Sequence, residues 1–316
     1  MKLAAVAVVA TAALSLTACA PGDVASASGE DRMQVTAAFY PLQWAAERVG
    51  GEHVHVSGLT KPGAEPHDLE LTPRAVGELA GSDVVVYLAN FQPAVDDAVT
   101  TQAADAGFDV TGDADLTLAA TDDGHDHAGE SAQEHEEHAE GAGARDPHFW
   151  LDPLRFQSVV TALGERFASV DPPNTLAYRA NAEALVADLR TLDHEFEAGL
   201  AQCRSDELVT AHAAFAYLAD RYGLSQEGIA GLSPDSEPDA SMLRELASHV
   251  AEHGVTTVYS ETLVDPALAR TLARETGATV AVLDPLEGLT DASAGTDYLE
   301  VMRDNLRVLE RGQGCT

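Results

Sequence analysis

Positive charge is what this sequence lacks. Across 316 residues, 18 Lys+Arg face 52 Asp+Glu, for a formal net charge of −34. Lysine occurs only at Lys2 and Lys61, and neither Lys nor Arg occurs between Arg74 and Arg145. A chain with so little basic surface cannot release counterions from a phosphate backbone, which excludes a nucleic-acid binder. It also excludes loose adsorption to anionic lipid headgroups. Beyond the N-terminus no apolar run approaches the roughly 20 residues that span a bilayer. There is no His-Glu-x-x-His motif, the compact signature of one class of zinc hydrolase. Core-forming material is not lacking: hydrophobic residues make up 45% and charged residues 22%, as in ordinary globular proteins. The length suggests two domains. Such a surface attracts cations.

The acidity has an address. Residues 75–144 hold 16 Asp+Glu, nearly half of the net charge in less than a quarter of the chain. Within them, residues 121–143 contain no large apolar side chain, cannot bury enough surface to fold, and read as a disordered loop. That loop carries His125, His127, His135 and His138 among eight carboxylates between Asp122 and Glu140. His-x-His and His-x-x-His spacings allow weak, fluxional chelation, so these four are expected to serve auxiliary metal capture.

Residues 3–16 form an apolar run too short for a membrane span but suited to a signal-peptide core. It ends in Leu16-Thr17-Ala18-Cys19, which resembles a bacterial lipobox. The resemblance implies that residues 1–18 are a lipoprotein signal and that Cys19 is lipidated. Residues 19–32 are small and polar and read as a flexible tether reaching roughly 20 Å. The mature chain is therefore expected outside the cytoplasm, anchored to the bacterial membrane. In that compartment the two remaining cysteines, Cys203 and Cys315, are expected to pair, the alternative being two unrelated free thiols.

Strand and helix patterns alternate along both halves. Strands are expected over 34–39, 53–56 and 83–88, with helices over 42–49, 72–79 and 154–170. A long helix follows Asp171-Pro-Pro-Asn174 and reaches about residue 201, with Leu176, Ala180, Leu185, Leu189, Leu192 and Phe196 at helical spacing. Strands at 207–210, 225–229, 257–259 and 279–282 then alternate with helices at 215–222, 241–253, 266–276 and 298–310. The expected fold class is α/β: an N-terminal lobe over 33–170, a connecting helix over 171–202 and a C-terminal lobe over 203–316.

Three further histidines sit where α/β proteins place ligands, beyond the carboxyl ends of strands. His67 lies in Pro62-Gly-Ala-Glu-Pro-His-Asp, His148 in Asp146-Pro-His-Phe-Trp-Leu-Asp-Pro153, and His212 in Thr210-Ala-His-Ala-Ala-Phe. His53, His55, His194, His249 and His253 read as surface residues and receive no role, although His53 and His55 share a strand face.

These motifs, with Asp171-Pro-Pro-Asn174, Glu237-Pro238 and Val282-Leu-Asp-Pro-Leu286 in order after them, make the chain similar to the zinc branch of metal-binding solute-binding lipoproteins of ABC importers, the ZnuA-like family. The resemblance covers nearly the whole mature chain. It implies a metal between two lobes, with His67 and His148 from the first and His212 and Asp284 from the second. Glu65 is the rival fourth ligand, and Glu261 is a weaker candidate that would support the site rather than ligate. Asp284 also follows a strand, where its carboxylate could instead cap a helix. Three imidazoles and one carboxylate suit Zn²⁺ better than the oxygen-preferring Mn²⁺, although a manganese- or iron-binding member of the same family is the alternative. The implied partner is an ABC permease, and a monomer is expected. The other reading, a zinc hydrolase, needs an open coordination position, with Glu261 or Glu65 as base. A metal-dependent surface adhesin stays open.

Overall fold

Val84-Val85-Val86 has no polar face to offer water, and a strand of that kind is stable only where both of its faces are covered. It is fully buried, as part of β3 in the first of two parallel sheets. The computed structural model describes residues 32–120, 145–234 and 238–316. The expected leader with Cys19, all but the last residue of the tether, and the acidic segment with His125, His127, His135 and His138 lie outside the described residues.

The first sheet contains β1 (Met33–Ala37), β2 (Val54–Gly58), β3 (Val84–Tyr87) and β4 (Gly107–Asp109) in the order β2-β1-β3-β4. Its helices are α1 (Tyr40–Gly50), α2 (Pro73–Leu79), α3 (Pro93–Gln102) and the single turn α4 (Thr111–Ala114). Two long helices follow, α5 (Pro153–Val170) and α6 (Thr175–Leu200). The second sheet repeats the plan with β5 (Glu207–Thr210), β6 (Ser225–Gly228), β7 (Thr257–Ser260) and β8 (Thr279–Val282) in the order β6-β5-β7-β8. It is flanked by α7 (Ala216–Tyr222), α8 (Ala240–Glu252), α9 (Ala267–Thr276) and α10 (Tyr298–Gln313). All pairings between these strands are parallel. In each sheet the chain reverses direction across the order between the first and third strands, which opens a crevice at their carboxyl ends.

Sequence and structure differ at three places in the elements. Helix α3 and the short strand β4 occupy a stretch that carries no clear period, because three residues of strand are too few to alternate. The connecting helix begins at Thr175, after a 3₁₀ turn over Pro172–Asn174. Its buried stripe is Tyr178, Ala182, Leu185, Leu189, Leu192 and Phe196; Leu176 is 83% exposed and Ala180 faces solvent. The stripe therefore starts at Tyr178, whose hydroxyl donates to Asp171 at 2.6 Å.

Helix α6 packs on α1 and α5 from the first lobe and on α7 and α10 from the second. At 1.5 Å per residue its 26 residues form a rod of about 39 Å. One apolar cluster runs through both lobes, from Val35 and Phe39 to Tyr259, Tyr298 and Leu309, and a smaller one lies around Val258 under α8 and α9. The lobes are also latched by polar contacts. Trp150 Nε1–H donates to the Pro285 carbonyl at 2.8 Å, and the Tyr298 hydroxyl donates to the Trp150 carbonyl at 2.5 Å. Arg221 reaches from α7 to Asp193 on α6 at 2.5 and 2.8 Å. The Cys203 and Cys315 sulfurs lie 1.99 Å apart, joined as a disulfide across 112 residues.

Candidate metal centre

Loops after β2, β5 and β8, together with the segment that leads into α5, bring four side chains to one point. His67 comes from the loop between β2 and α2, held by Gln92, whose Nε2–H donates to the Pro66 carbonyl at 3.0 Å. His148 directly precedes the 3₁₀ turn Phe149–Leu151. His212 follows β5. The fourth is Glu287, beyond β8. His67 Nε2 lies 2.9 Å from Glu287 Oε1, His148 Nε2 lies 3.1 Å from it, and His212 Nε2 lies 3.3 Å from it. The two first-lobe imidazoles approach each other at 3.3 Å between their Nε2 atoms. All four ligand-type atoms fall within 4.8 Å of one another. His148, His212 and Glu287 are fully buried, and the His67 side chain is 11% exposed.

The imidazoles are oriented from behind. His148 Nδ1 sits 2.8 Å from Asp146 Oδ1, which also accepts the His148 backbone N–H at 2.8 Å. His212 Nδ1 sits 2.6 Å from Glu261 Oε2, and Glu261 Oε1 accepts the His212 backbone N–H at 3.0 Å. A carboxylate that accepts a hydrogen bond from Nδ1–H fixes the ring proton on that nitrogen and leaves the Nε2 lone pair for the centre. Phe91 closes the outer side of His67 edge-on at 4.8 Å between centroids, with Phe39 and Trp150 behind it. This wall covers the cluster with aromatic rings on the side of the first lobe.

Two polar atoms in the cluster have no hydrogen-bond partner, His212 Nε2 and Glu287 Oε2, both buried. The 3.3 Å approach of His212 Nε2 to Glu287 Oε1 is an ion-pair distance without hydrogen-bond alignment. Buried orphans of this kind cost free energy unless something else fills the gap. Electrostatics points the same way. Burial alone depresses the His212 imidazolium, but the Glu261 and Glu287 carboxylates outweigh it and hold the ring proton well above its usual range. His148 is raised in the same manner, with Asp146 and Glu287 overcoming burial. Burial alone would raise Glu287, but His212 and hydrogen bonds from His148 and His67 hold it well below the usual carboxylate range. The cluster is a negative pocket that holds positive charge as protons.

Asp284, expected from the sequence as the fourth ligand, is not among the converging atoms. Its Oδ1 accepts the Leu286 N–H at 2.8 Å and its Oδ2 accepts the Ser293 hydroxyl at 2.8 Å. Its own backbone is bracketed by Asn305, which accepts Asp284 N–H at 2.9 Å and donates to Asp284 O at 2.7 Å. Asp284 therefore fixes the loop. Leu286 adopts a left-handed φ of 60°, and this turn carries Glu287 to the centre. Glu65, the rival, caps its own loop: Oε1 accepts the His67 N–H at 3.0 Å and Oε2 the Asp68 N–H at 3.3 Å. It stands 3.8 Å from His67 Nε2 at the rim, with burial pushing its carboxyl up. The only sequence signal for Glu287 was a second carboxylate three residues past the strand-end aspartate. Nothing in the one-dimensional pattern separates the two.

Neither carboxylate considered as a hydrolytic base is available. Glu261 is engaged by His212, and Glu65 by backbone amides. With Glu287 as a fourth donor the set closes around a single ion.

Comparison with known proteins agrees with this geometry. Residues 35–312 match the family model described as ZnuA, zinc-uptake complex component A, periplasmic. The chain is 36% identical over 288 residues to the zinc-binding protein AdcA of Streptococcus pyogenes serotype M3, covering 89% of this chain and 56% of that protein. It thus spans about half the length of several curated relatives it matches. It is 32% identical over 286 residues to the high-affinity zinc uptake system protein ZnuA of Bacillus subtilis, covering 89% of this chain and 87% of that one. Among solved structures, the Zn(II)-bound ZnuA-like domain of AdcA from Streptococcus pneumoniae superposes with a TM-score of 0.71 at 32% identity, over 89% of this chain and 99% of that one.

Proposed function

The chain belongs to the ZnuA family of zinc-uptake complex components, and from that premise we propose that it is an extracytoplasmic receptor that takes Zn²⁺ into the crevice between its lobes and hands it to an ABC permease. The observation that carries this reading is the convergence of His67, His148, His212 and Glu287, with His212 Nε2 and Glu287 Oε2 buried and unpartnered. Three imidazole nitrogens and one carboxylate oxygen match the tetrahedral preference of Zn²⁺ and disfavour Mn²⁺, which seeks oxygen. Relatives named a zinc-binding protein and a high-affinity zinc uptake system protein support the same assignment. Lipid anchoring through Cys19 fits the relative from Streptococcus pneumoniae that is named a zinc-binding lipoprotein.

Capture exchanges protons for metal. Zinc replaces the protons held at His148 and His212, while Asp146 and Glu261 keep the rings oriented throughout. The contacts of Trp150 to Pro285 and Tyr298, together with α6 along both lobes, restrict hinge motion, so loading requires only a modest rearrangement around the ligands.

The test is zinc titration of the full chain, by competition with a chromophoric chelator, together with the metal content of protein purified without added metal. The expected result is one tight equivalent that Glu287→Gln and His212→Ala each abolish or weaken severely, with selectivity for Zn²⁺ over Mn²⁺. Retention of the tight equivalent in both variants, or preferential Mn²⁺ loading, overturns the assignment.

A further inference from the structure

The C-terminal lobe carries a second group of metal-type ligands that the cleft does not use. His249 and His253 lie one turn apart at the end of α8, and Glu207 opens β5. His249 Nε2 is 3.0 Å from Glu207 Oε2, and His253 Nδ1 is 3.0 Å from Glu207 Oε1. The two rings stack, with centroids 4.2 Å apart and planes at 19°. One ligand-type atom from each residue falls within 4.8 Å of the other two. We propose that Glu207, His249 and His253 form a second, surface site for a divalent late-transition-metal ion of the zinc class.

An i, i+4 pair of histidines places two imidazoles on one helix face, and a carboxylate facing both supplies the charge that two neutral rings lack. Each ring presents to Glu207 the nitrogen that would bind metal. The other nitrogen, Nδ1 of His249 and Nε2 of His253, can carry the ring proton once a cation displaces the hydrogen now shared with the carboxylate. His253 N–H donates to the His249 carbonyl at 2.9 Å and ends the helix. The site thus sits in the last turn, where unpaired carbonyls give a negative potential that favours a cation. Glu207 is held in place: its side chain is 14% exposed, and its carbonyl accepts Gln313 Nε2–H at 2.8 Å. His253 is 47% exposed, free to shift until its nitrogen reaches the roughly 2.0–2.1 Å at which imidazole binds zinc. Three protein ligands leave coordination positions to water, so this site binds more weakly than the buried cleft.

Glu207 opens β5 and His212 lies two residues beyond its far end. At about 3.3 Å per residue the two sites stand roughly 16 Å apart, far enough for independent occupancy. The third group of this kind, Asp193, His194 and Glu197, is different: Arg221 already neutralises its carboxylates.

Equilibrium dialysis of the full chain against Zn²⁺, with amide hydrogen exchange across residues 246–253, tests the proposal. Wild type should bind one more weak equivalent than His249→Gln/His253→Gln, which keeps any equivalents held by the acidic segment, and Zn²⁺ but not Mg²⁺ should slow exchange in the last turn of α8. Glu207→Gln should weaken that equivalent at least tenfold. Glu287→Gln, which removes the cleft's ligand, should leave the exchange response of α8 in place, separating the two sites. Unchanged stoichiometry in the double variant overturns the proposal. So does an α8 exchange rate in wild type that Zn²⁺ does not alter, or that Mg²⁺ slows equally.

Discussion

Two carboxylates three residues apart, Asp284 and Glu287, hold the same charge and divide the work. Asp284 spends its oxygens on Leu286 N–H and the Ser293 hydroxyl; Glu287 keeps one buried oxygen without a partner. Glu287→Gln should therefore cost zinc affinity more than the roughly 10–100-fold that loss of a supporting partner such as Glu261 costs. Asp284→Asn should act chiefly on stability, and chemical denaturation beside zinc titration distinguishes the two. The protons of the cluster set a second expectation. His148 and His212 have raised pKa values in the metal-free protein, so their contribution to stability is complete below the ordinary 6.5 and fades as pH rises through the raised values. Glu287 is depressed, so its contribution is complete above the ordinary 4.5 and fades as pH falls through the lowered value. The metal-free cluster is thus most stabilising between about pH 4.5 and 6.5. Zinc affinity moves the opposite way on the basic side, because each proton must leave before the metal enters. The zinc-induced rise in melting temperature should grow from pH 6 to pH 8, and a rise independent of pH would argue against imidazole ligation.

At the scale of elements, the contact of α5 with α6 decides how the first lobe is carried. A Cβ on Gly164 would come within 2.8 Å of the Ala182 Cβ and 3.5 Å of the Tyr178 carbonyl, so the helices touch through the missing side chain. Replacing glycine in a helix gains up to about 1 kcal/mol of propensity, while forcing a branched side chain into a packed seam costs about 1–3 kcal/mol. Gly164→Val should accordingly lower the urea midpoint while leaving the tight zinc equivalent intact. Most of these elements were legible from local pattern: the long helix from its period, the buried β3 from its unbroken apolar run, and all four strands of the second lobe from their alternation with helices. The face of α6 was misjudged at Leu176 and Ala180 because a helix entered through a 3₁₀ turn starts its apolar stripe later than the last proline suggests. β4 escaped because Gly107-Phe108-Asp109 owes its strand state to pairing with β3, which no local pattern encodes.

For the whole molecule, stability comes from an apolar cluster that runs through both lobes, a smaller one under α8 and α9, and ties between distant stretches of chain. The disulfide closes a loop of 112 residues, and in the chain-entropy view a loop of that size contributes on the order of 4–5 kcal/mol by restricting the unfolded chain. Cys203→Ala/Cys315→Ala should therefore lower the unfolding free energy by about 2–5 kcal/mol without changing zinc stoichiometry. Zinc should itself act as a tie, since the four ligands proposed for it come two from each lobe. At a thousandfold excess over the dissociation constant, binding to the folded state alone adds about 4 kcal/mol.

Composition and order along the chain determined the broad answer by themselves. A shortage of cations, an acidic segment with histidines, an apolar leader ending at Cys19, and three well-separated histidines in motifs resembling the ZnuA-like family pointed to metal binding, and those three histidines are among the four side chains that converge in the cleft. Those features are local: a charge, a period or a motif is complete within a few residues. Only the tertiary structure decided the fourth donor, the carboxylates behind the imidazoles and the His249–His253–Glu207 group. Each depends on which side chain a turn or a neighbouring strand leaves unsatisfied. That is settled by hydrogen bonds between residues far apart in the chain, as Asn305 and Ser293 settled it for Asp284.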